Sequence, residues 1–542
     1  MLVYYIIVPI LTAVFLYLFC TAKAARVIAI LIQGIFSGFA VHLFFLSKEG
    51  DIVTRVGNFT SVMGITLKVD MLAGVFVMLT AFIFLIAAIY SFNEDNNRLY
   101  WFFMFIWQAL LLGVFMTRDF FNLFIMFEVM TVIVAVLIMF KRDKRSMYDG
   151  ILYLLVNGLA TQFYLLGLGY IYKLAGSLDM DAIAPFLLDL DRKSLILPYA
   201  LIISAVSVKC ALVPVFSWLP KAHGAPGAPP AVSAILSGLH IKCAVFIFIR
   251  VQEVFKPIAL TELFLVIGIV TSIVGFMMAL SQLDIKLILA YHTISQIGLI
   301  MIGLSIGNTY TFTGGVYHII NHAFFKAALF MCAGIIYETY GTKNIYKIHG
   351  VLKRLPLVGI TLIMASLGIT GAPFFNGSIS KYFIMYDTNE VMTVVFFIIN
   401  LGTIISFVKY STMLYEHHKD DAHKDEVEEK SVSDHHTEVK PDMFKQVAAF
   451  ILGLLCLVGG IFGEGFIWFL FDKKLSVDPA GYIQKSITFL VTVAAGHLIY
   501  KYYVKKSKLF VYLRGIELNF RQVCICIGGF IALVMITAKM MG

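Results

Sequence analysis

Charge is scarce in this sequence, and so are the residues that carry redox or nucleotide chemistry. Only 14% of its residues are Asp, Glu, Lys or Arg. Its seven cysteines are scattered: Cys20, Cys210, Cys243, Cys332, Cys456 and Cys524 lie in apolar stretches, and Cys526 makes only a C-x-C with Cys524. No C-x-x-C cluster suits iron–sulfur ligation, and no disulfide framework is implied. No G-x-G-x-x-G or Walker A motif sits on a strand-to-helix turn. No cofactor and no metal is therefore expected in this chain, and any redox or ATP chemistry is expected in another subunit. A cleavable signal is lacking too. The stretch from Leu2 to Cys20 has no basic n-region and no small-residue cleavage site, so it reads as a first membrane helix. Prolines number thirteen, yet five of them (Pro214, Pro220, Pro226, Pro229, Pro230) crowd into residues 206–232.

What is abundant is apolar. Hydrophobic residues make up 60% of the chain. Apolar runs of roughly 18 or more residues, enough to cross a hydrocarbon core, recur from end to end, about sixteen in all. Short alternating segments, the mark of a β-barrel, are not the pattern. The fold class is an all-α polytopic membrane protein with about 14–16 transmembrane helices. The net charge of +9 sits in loops and needs no nucleic acid to explain it. Loops after odd-numbered segments are richer in basic residues, as in "KRDKR" at 141–145, which predicts that they are cytoplasmic and that both termini lie outside. A prokaryotic plasma membrane is the expected location.

One loop, Glu416 to Lys445, is polar and rich in both charge signs. It reads as a solvated cytoplasmic linker. Its five histidines (His417, His418, His423, His435, His436) are not assigned to a metal. The chain then divides into N-terminal helices (1–64), a core (65–415), that loop (416–445) and C-terminal helices (446–542).

Ionisable residues inside membrane helices are expensive and usually functional; a central lysine costs about 2.5–3.5 kcal/mol. Glu128 lies ten residues into "RDFFNLFIMFEVMTVIVAVLIMF", with Asp119 at the mouth of that helix, where a carboxylate suits the dipole. Lys209 lies deep in segment 7, and Pro214 follows it. Proline breaks or kinks a helix, and broken helices at membrane depth line ion paths in transporters. Lys242 follows His240 by two positions, so the two need not share a helix face. His318, His322 and Lys326 are spaced four and four and form one polar stripe. Histidine passes protons readily near neutral pH, and H-E-x-x-H is absent, so the stripe reads as a proton relay rather than a zinc site. "GITGAPFFNGSISKYFIMY" (368–386) breaks segment 12 at Gly371, Pro373 and Gly377, ahead of Lys381. Two interrupted, lysine-bearing segments five apart, 7 and 12, predict two inverted five-helix repeats, about 98–251 and 259–415.

These residues carry a resemblance. The motifs are "FEVMT" with Glu128, "VKCALVPVFSWLPKAHGAPGAPPAVSAILSGLHIK" with Lys209 and Lys242, "LDIKLILAYHTISQIG" with His292, "YHIINHAFFKAALFMCAG", and "APFFNGSISKYF" with Lys381. In that order, over roughly residues 65–410, they resemble the antiporter-like subunits of the complex I, Mrp antiporter and energy-converting hydrogenase superfamily. The resemblance implies a bundle of about fourteen helices in which each repeat contributes half of a proton channel. It implies that Glu128 tunes Lys209, that Lys242 passes protons centrally, that His318 and His322 continue the line, and that Lys381 is the exit residue. His240, His292 and Asp119 are accessory candidates. Implied partners are other membrane subunits, iron–sulfur or nickel–iron subunits among the candidates, with H⁺, and Na⁺ as a second candidate ion. Two other classes stay open: a quinone-binding oxidoreductase membrane subunit and a stand-alone secondary transporter.

Overall fold

Asp and Asn open most of the long helices. Asp70, Asn97, Asp119, Asp143, Asp284, Asn308, Asn389, Asp478 and Asn519 each accept a backbone N–H of the first turn, which satisfies a donor that the helix itself cannot. In the computed structural model, which describes residues 1–58, 64–94, 97–416 and 442–541, the chain begins with α1 (Tyr4–Phe19) and α2 (Ala22–Glu49). An antiparallel hairpin follows, β1 (Ile52–Arg55) and β2 (Thr66–Val69), with Ile52 opposite Val69. Next come α3 (Met71–Tyr90), α4 (Arg98–Met116), α5 (Phe120–Ile138), α6 (Lys144–Ala175) and the short α7 (Met180–Leu188). Segment 7 is in two pieces, α8 (Arg192–Lys209) and α9 (Trp218–Gly224). Segment 8 is α10 (Pro230–Ile235) and α11 (Ile241–Val254), joined by a π turn at Leu236–His240. α12 (Thr261–Ser281), α13 (Ile285–Ser305), α14 (Thr309–Tyr340) and the short α15 (Val351–Arg354) lead to segment 12. That segment is also split, into α16 (Pro356–Thr370) and α17 (Asn376–Ile384), and α18 (Glu390–Ser411) follows it. The C-terminal part holds α19 (Met443–Ile461), α20 (Gly463–Phe471), α21 (Pro479–Tyr502), α22 (Lys508–Arg514) and α23 (Phe520–Met540).

Among the described residues, 13 helices are long and apolar enough to cross a membrane. The difference from the sixteen apolar segments of the sequence has a physical reason. Segments 7 and 12 are interrupted at membrane depth, and α1 has only 16 residues. The polar linker is also shorter than the sequence suggests. Asp442 caps α19, so Met443 to Lys445 are already helical, and Lys445 pairs with Glu94 and Glu338. The five linker histidines lie outside the described residues.

The two lengths of chain expected to be repeats carry the same local bridge. Phe120 N donates to Leu178 O (2.9 Å) and Met180 N to Arg118 O (2.7 Å). Ile285 N likewise donates to Lys343 O (2.9 Å) and Ile345 N to Leu283 O (2.9 Å). Each position of the second set is about 165 residues after its counterpart (118 and 283, 120 and 285, 178 and 343, 180 and 345). α6 and α14 keep that spacing, are each 32 residues long, and end on left-handed glycines, Gly176 and Gly341. A glycine is needed there because a side chain strains that backbone conformation.

α12 and α13 pack most closely. A Cβ built on Gly275 would lie 2.5 Å from Ser295 N, and one on Gly298 would lie 2.5 Å from Ser272 N, so only glycine lets the two backbones approach. α14 is enclosed by α10, α13, α16, α17 and α19 and forms the centre of the bundle. α1, α2, α21 and α23 present large apolar side chains outward, among them Leu31, Ile35, Leu490 and Ile525. That is a lipid-facing rim. The basic stretch between α21 and α23 crosses the end of the bundle. α22 packs on α12, Arg514 Nε donates to Ser281 O (2.8 Å), and Lys221 Nζ donates to Leu518 O (3.1 Å).

Candidate functional site

The two broken helices set the site. At the first break α8 ends on Lys209, Ala211 takes a left-handed backbone (φ 52°), and the Val213–Pro214 peptide is cis. Protein groups cover the opened backbone: Val213 N donates to Thr271 Oγ1 (3.1 Å), and the Trp218 indole N–H donates to Val208 O (2.8 Å). At the second break, Gly371 (φ 81°) and Phe374 (φ 68°) turn the chain around Pro373. There the Ile369 carbonyl accepts from Lys381 Nζ (2.8 Å), and Phe374 N donates to Tyr482 Oη (3.0 Å). Irregular backbone at this depth is tolerable only with such partners.

Four buried or largely buried lysines lie along the bundle, and each is held by neutral oxygen. Lys209 Nζ donates to Thr131 Oγ1 (3.2 Å) and stands 4.8 Å from the Phe127 ring centroid. Lys242 Nζ donates to Ser237 O, inside the π turn. Lys326 Nζ donates to Leu289 O (2.7 Å). Lys381 Nζ adds Asn400 Oδ1 (2.8 Å) to its bond with Ile369 O. A hydroxyl pair joins the central two: Ser237 Oγ and Thr293 Oγ1 are 2.7 Å apart, and Thr293 Oγ1 donates to Leu289 O (3.1 Å). The hydroxyl pair thus lies between the two amines: Lys326 shares the Leu289 carbonyl with Thr293, whereas Lys242 meets Ser237 at its backbone carbonyl and not at its hydroxyl. An amine held by neutral acceptors is not pinned in its charged form by a counter-ion, so it can give up a proton and take one back.

Glu128, on α5, bonds α6 rather than Lys209. Its Oε1 accepts from Thr161 Oγ1 and from Gln162 Nε2 (3.3 Å), both on α6. Thr131, one turn further along α5, takes the lysine instead. His318 bridges two elements, Nδ1 to Ser380 Oγ (2.8 Å) and Nε2 to Gln296 Oε1 (3.0 Å). His322 lies one turn on, its ring 6.4 Å from that of His318, with no hydrogen-bond partner on either nitrogen among the described residues. His240 faces away from Lys242, toward Tyr153 Oη (3.0 Å) and the Trp107 ring. His292 is fully buried against Phe407. Asp119 lies at the end of α5, where its carboxylate caps Asn122 N (2.6 Å); burial pushes its carboxyl up, against the pull of that N–H.

Several polar residues in this run carry no signal in the sequence. Thr131, Ser237, Thr293, Gln296, Ser380 and Asn400 are ordinary members of apolar helices. His223 does lie in the proline-rich stretch. It is fully buried, stacked on Phe330 (4.4 Å), with both ring nitrogens unpartnered among the described residues. Lys409, on α18, caps the end of α12 through Leu280 O (2.9 Å) and Gln282 O, a cation at a helix C-terminus.

At the other end of the bundle, charges are paired directly. Asp70 Oδ2 accepts from Arg250 Nη2 (2.5 Å) and Arg118 Nη2 (2.8 Å), with Glu253 and Asp181 around them. Burial alone would lift the Asp70 carboxyl, but Arg250, the Ala73 backbone N–H and Arg118 hold it below the ordinary carboxylate range. This cluster ties β2 and α3 to α4 and α11, and it differs in kind from the unpaired lysines.

Residues 117–406 match the family described as "NADH:quinone oxidoreductase/Mrp antiporter, TM". The chain is 29% identical over 425 residues to a Na(+)/H(+) antiporter subunit of Alkalihalophilus pseudofirmus, covering 74% of this chain and 84% of that protein. It is 32% identical over 348 residues to an NADH-quinone oxidoreductase subunit of Desulforudis audaxviator, covering 61% and 68%. Its fold superposes on a chain of the Mrp complex from a Dietzia species with a TM-score of 0.77, at 22% identity, over 95% of this chain and 99% of that one.

Proposed function

The chain belongs to the NADH:quinone oxidoreductase/Mrp antiporter transmembrane family, and from that premise we propose that it is the proton-translocating membrane subunit of a multisubunit complex. The observation that carries this reading is the set of four lysines on neutral oxygens, Lys209, Lys242, Lys326 and Lys381, distributed about two broken helices. Protons step between these amines. The Ser237–Thr293 hydroxyl pair links the central two, His318 with Gln296 and Ser380 leads on toward α17, and Glu128 biases the charge at Lys209 from one helix turn away. Lys381, beside the second break, is the release residue.

Driving energy comes from partner subunits. The relatives divide between a sodium/proton antiporter and a quinone oxidoreductase, so the partners decide whether sodium exchange or redox chemistry is coupled. Gentle purification of the tagged chain from its native membrane separates the two. Iron–sulfur or nickel–iron proteins in the complex mean redox coupling; small membrane proteins alone mean sodium coupling. The direct test is Lys209→Ala in the intact complex. Loss of coupled proton transport with normal assembly is expected, and normal pumping by that variant would refute the assignment.

A further inference from the structure

α21 lies beyond the stretch that matches the family, yet it helps to wall the chamber beside Lys381. A cavity of about 420 Å³ lies among α17, α18 and α21. Lys381 and Asn400 line its inner side, and the exposed residues Asp387, Thr393, Gln484 and Thr488 open it to the surroundings. Its walls are mixed, with Ser378, Tyr482 and Thr492 among apolar rings. A space of this size, with Lys381, Asn400 and Ser378 on its wall to hold them, has room for on the order of ten waters.

One residue here is unaccounted for. Lys485, on α21, also lines the chamber. Its ammonium lies 3.5 Å from the carbonyl of Tyr382, the residue next to Lys381, and 4.1 Å from the centroid of the Tyr382 ring. No ion pair holds it among the described residues. Asp387 is the one carboxylate among the residues lining the chamber, and it is exposed. Phe374 N and Ser378 Oγ both bond Tyr482 Oη, and Asp478 N bonds Tyr382 Oη, so the start of α21 is fastened to the second break. Lys485 is therefore held in place at this chamber rather than left free in the lipid rim.

We propose that Lys485 is a further functional residue of the ion path: a partly exposed ammonium in the chamber that Lys381 also lines, kept charged by its access to water, that drives release of the proton carried at Lys381. Like charges repel across a low-dielectric wall more strongly than through water, so a second ammonium disfavours retention of the proton at Lys381. The proton then passes to chamber water and outward by way of Asp387. This inference rests on the reading of Lys381 as the release residue. Lys485 is a positioning residue, acting by its charge and not by carrying the reaction itself.

The test grades charge at this one position in the intact complex, reconstituted into vesicles, with partner co-purification as the check of assembly. Lys485→Arg keeps the charge and transports protons at the rate of the unaltered complex. Lys485→Gln lowers the rate at least threefold. Lys485→Cys is similarly slow. A cationic thiosulfonate reagent restores that variant and an anionic one slows it further, while neither changes the unaltered complex. Packing alone would not follow the sign of the added charge. Equal rates for Gln, Arg and both modified Cys forms would overturn the role of Lys485. Lys381→Ala, run beside them, tells the two failures apart. If it is inactive, only the Lys485 inference falls; if it pumps normally, the proposed function falls with it.

Discussion

Replacing Thr293 with Val removes one oxygen from the centre of the bundle and keeps the shape of the side chain. That hydroxyl bonds Ser237 Oγ at 2.7 Å and the Leu289 carbonyl at 3.1 Å, and so forms the hydroxyl link between the Lys242 and Lys326 ends of the run. Both lysines keep their own acceptors, Ser237 O and Leu289 O, so neither amine is released by the change. Stability should fall by about 1–3 kcal/mol, one net hydrogen bond plus a Ser237 hydroxyl left poorer in a dry interior. Transport should fall more. A methyl neither donates nor accepts, and each additional 1.4 kcal/mol of barrier is about a tenfold loss of rate, so a loss of at least tenfold is expected. The assay is proton translocation by the reconstituted complex, read with a pH-sensitive dye and normalised to assembled protein. Thr293→Ser, which restores the hydroxyl, should return most of the rate. A Thr293→Val complex that assembles and pumps at more than half the original rate would refute a path through this hydroxyl pair.

Other outcomes test the frame around the path. Asp70→Asn leaves Arg118 and Arg250 with only the more exposed Glu253 and Asp181 as counter-charges and should destabilise the complex by about 1–3 kcal/mol. Because the folded Asp70 carboxyl titrates below the ordinary value of about 4, its contribution is present above that pH and is lost as the pH falls through the folded value. Thermal unfolding followed from pH 7 to pH 3 should therefore show a flatter acid limb in the Asn variant, and an unchanged limb would count against the cluster. Gly298→Val would place carbon 2.5 Å from Ser272 N and force α12 from α13. Native electrophoresis should show little assembled complex, whereas Gly34→Val, at a position with nothing within 4 Å, should assemble normally.

Much of the molecule was determined locally and could be read from the sequence. Membrane segments follow from runs of apolar residues, because lipid admits only backbone that satisfies itself. The breaks are signalled by Pro214 and by Gly371 with Pro373, because proline removes a helix bond and glycine admits a left-handed turn, although Pro9, Pro185 and Pro198 lie within unbroken helices. The lysines stood out because an ammonium in an apolar helix is too costly to be incidental. The hydroxyls did not stand out, and only the tertiary structure decided them. Thr80 and Ser207 merely bond the carbonyl four residues back in their own helices. Thr293 does the same, and what sets it apart is Ser237, a residue 56 positions away that the π turn brings against it. The Glu128 pairing was settled in the same way: which of two threonines, Thr131 or Thr161, meets the lysine and which meets the carboxylate depends on how α5, α6 and α8 pack. So does the place of α21, whose apolar face says only that it lies in lipid, while its contact with α18 sets Lys485 in the chamber that Lys381 lines. Hydropathy and helix breaks are properties of neighbours along the chain, but a proton path is a property of neighbours across it.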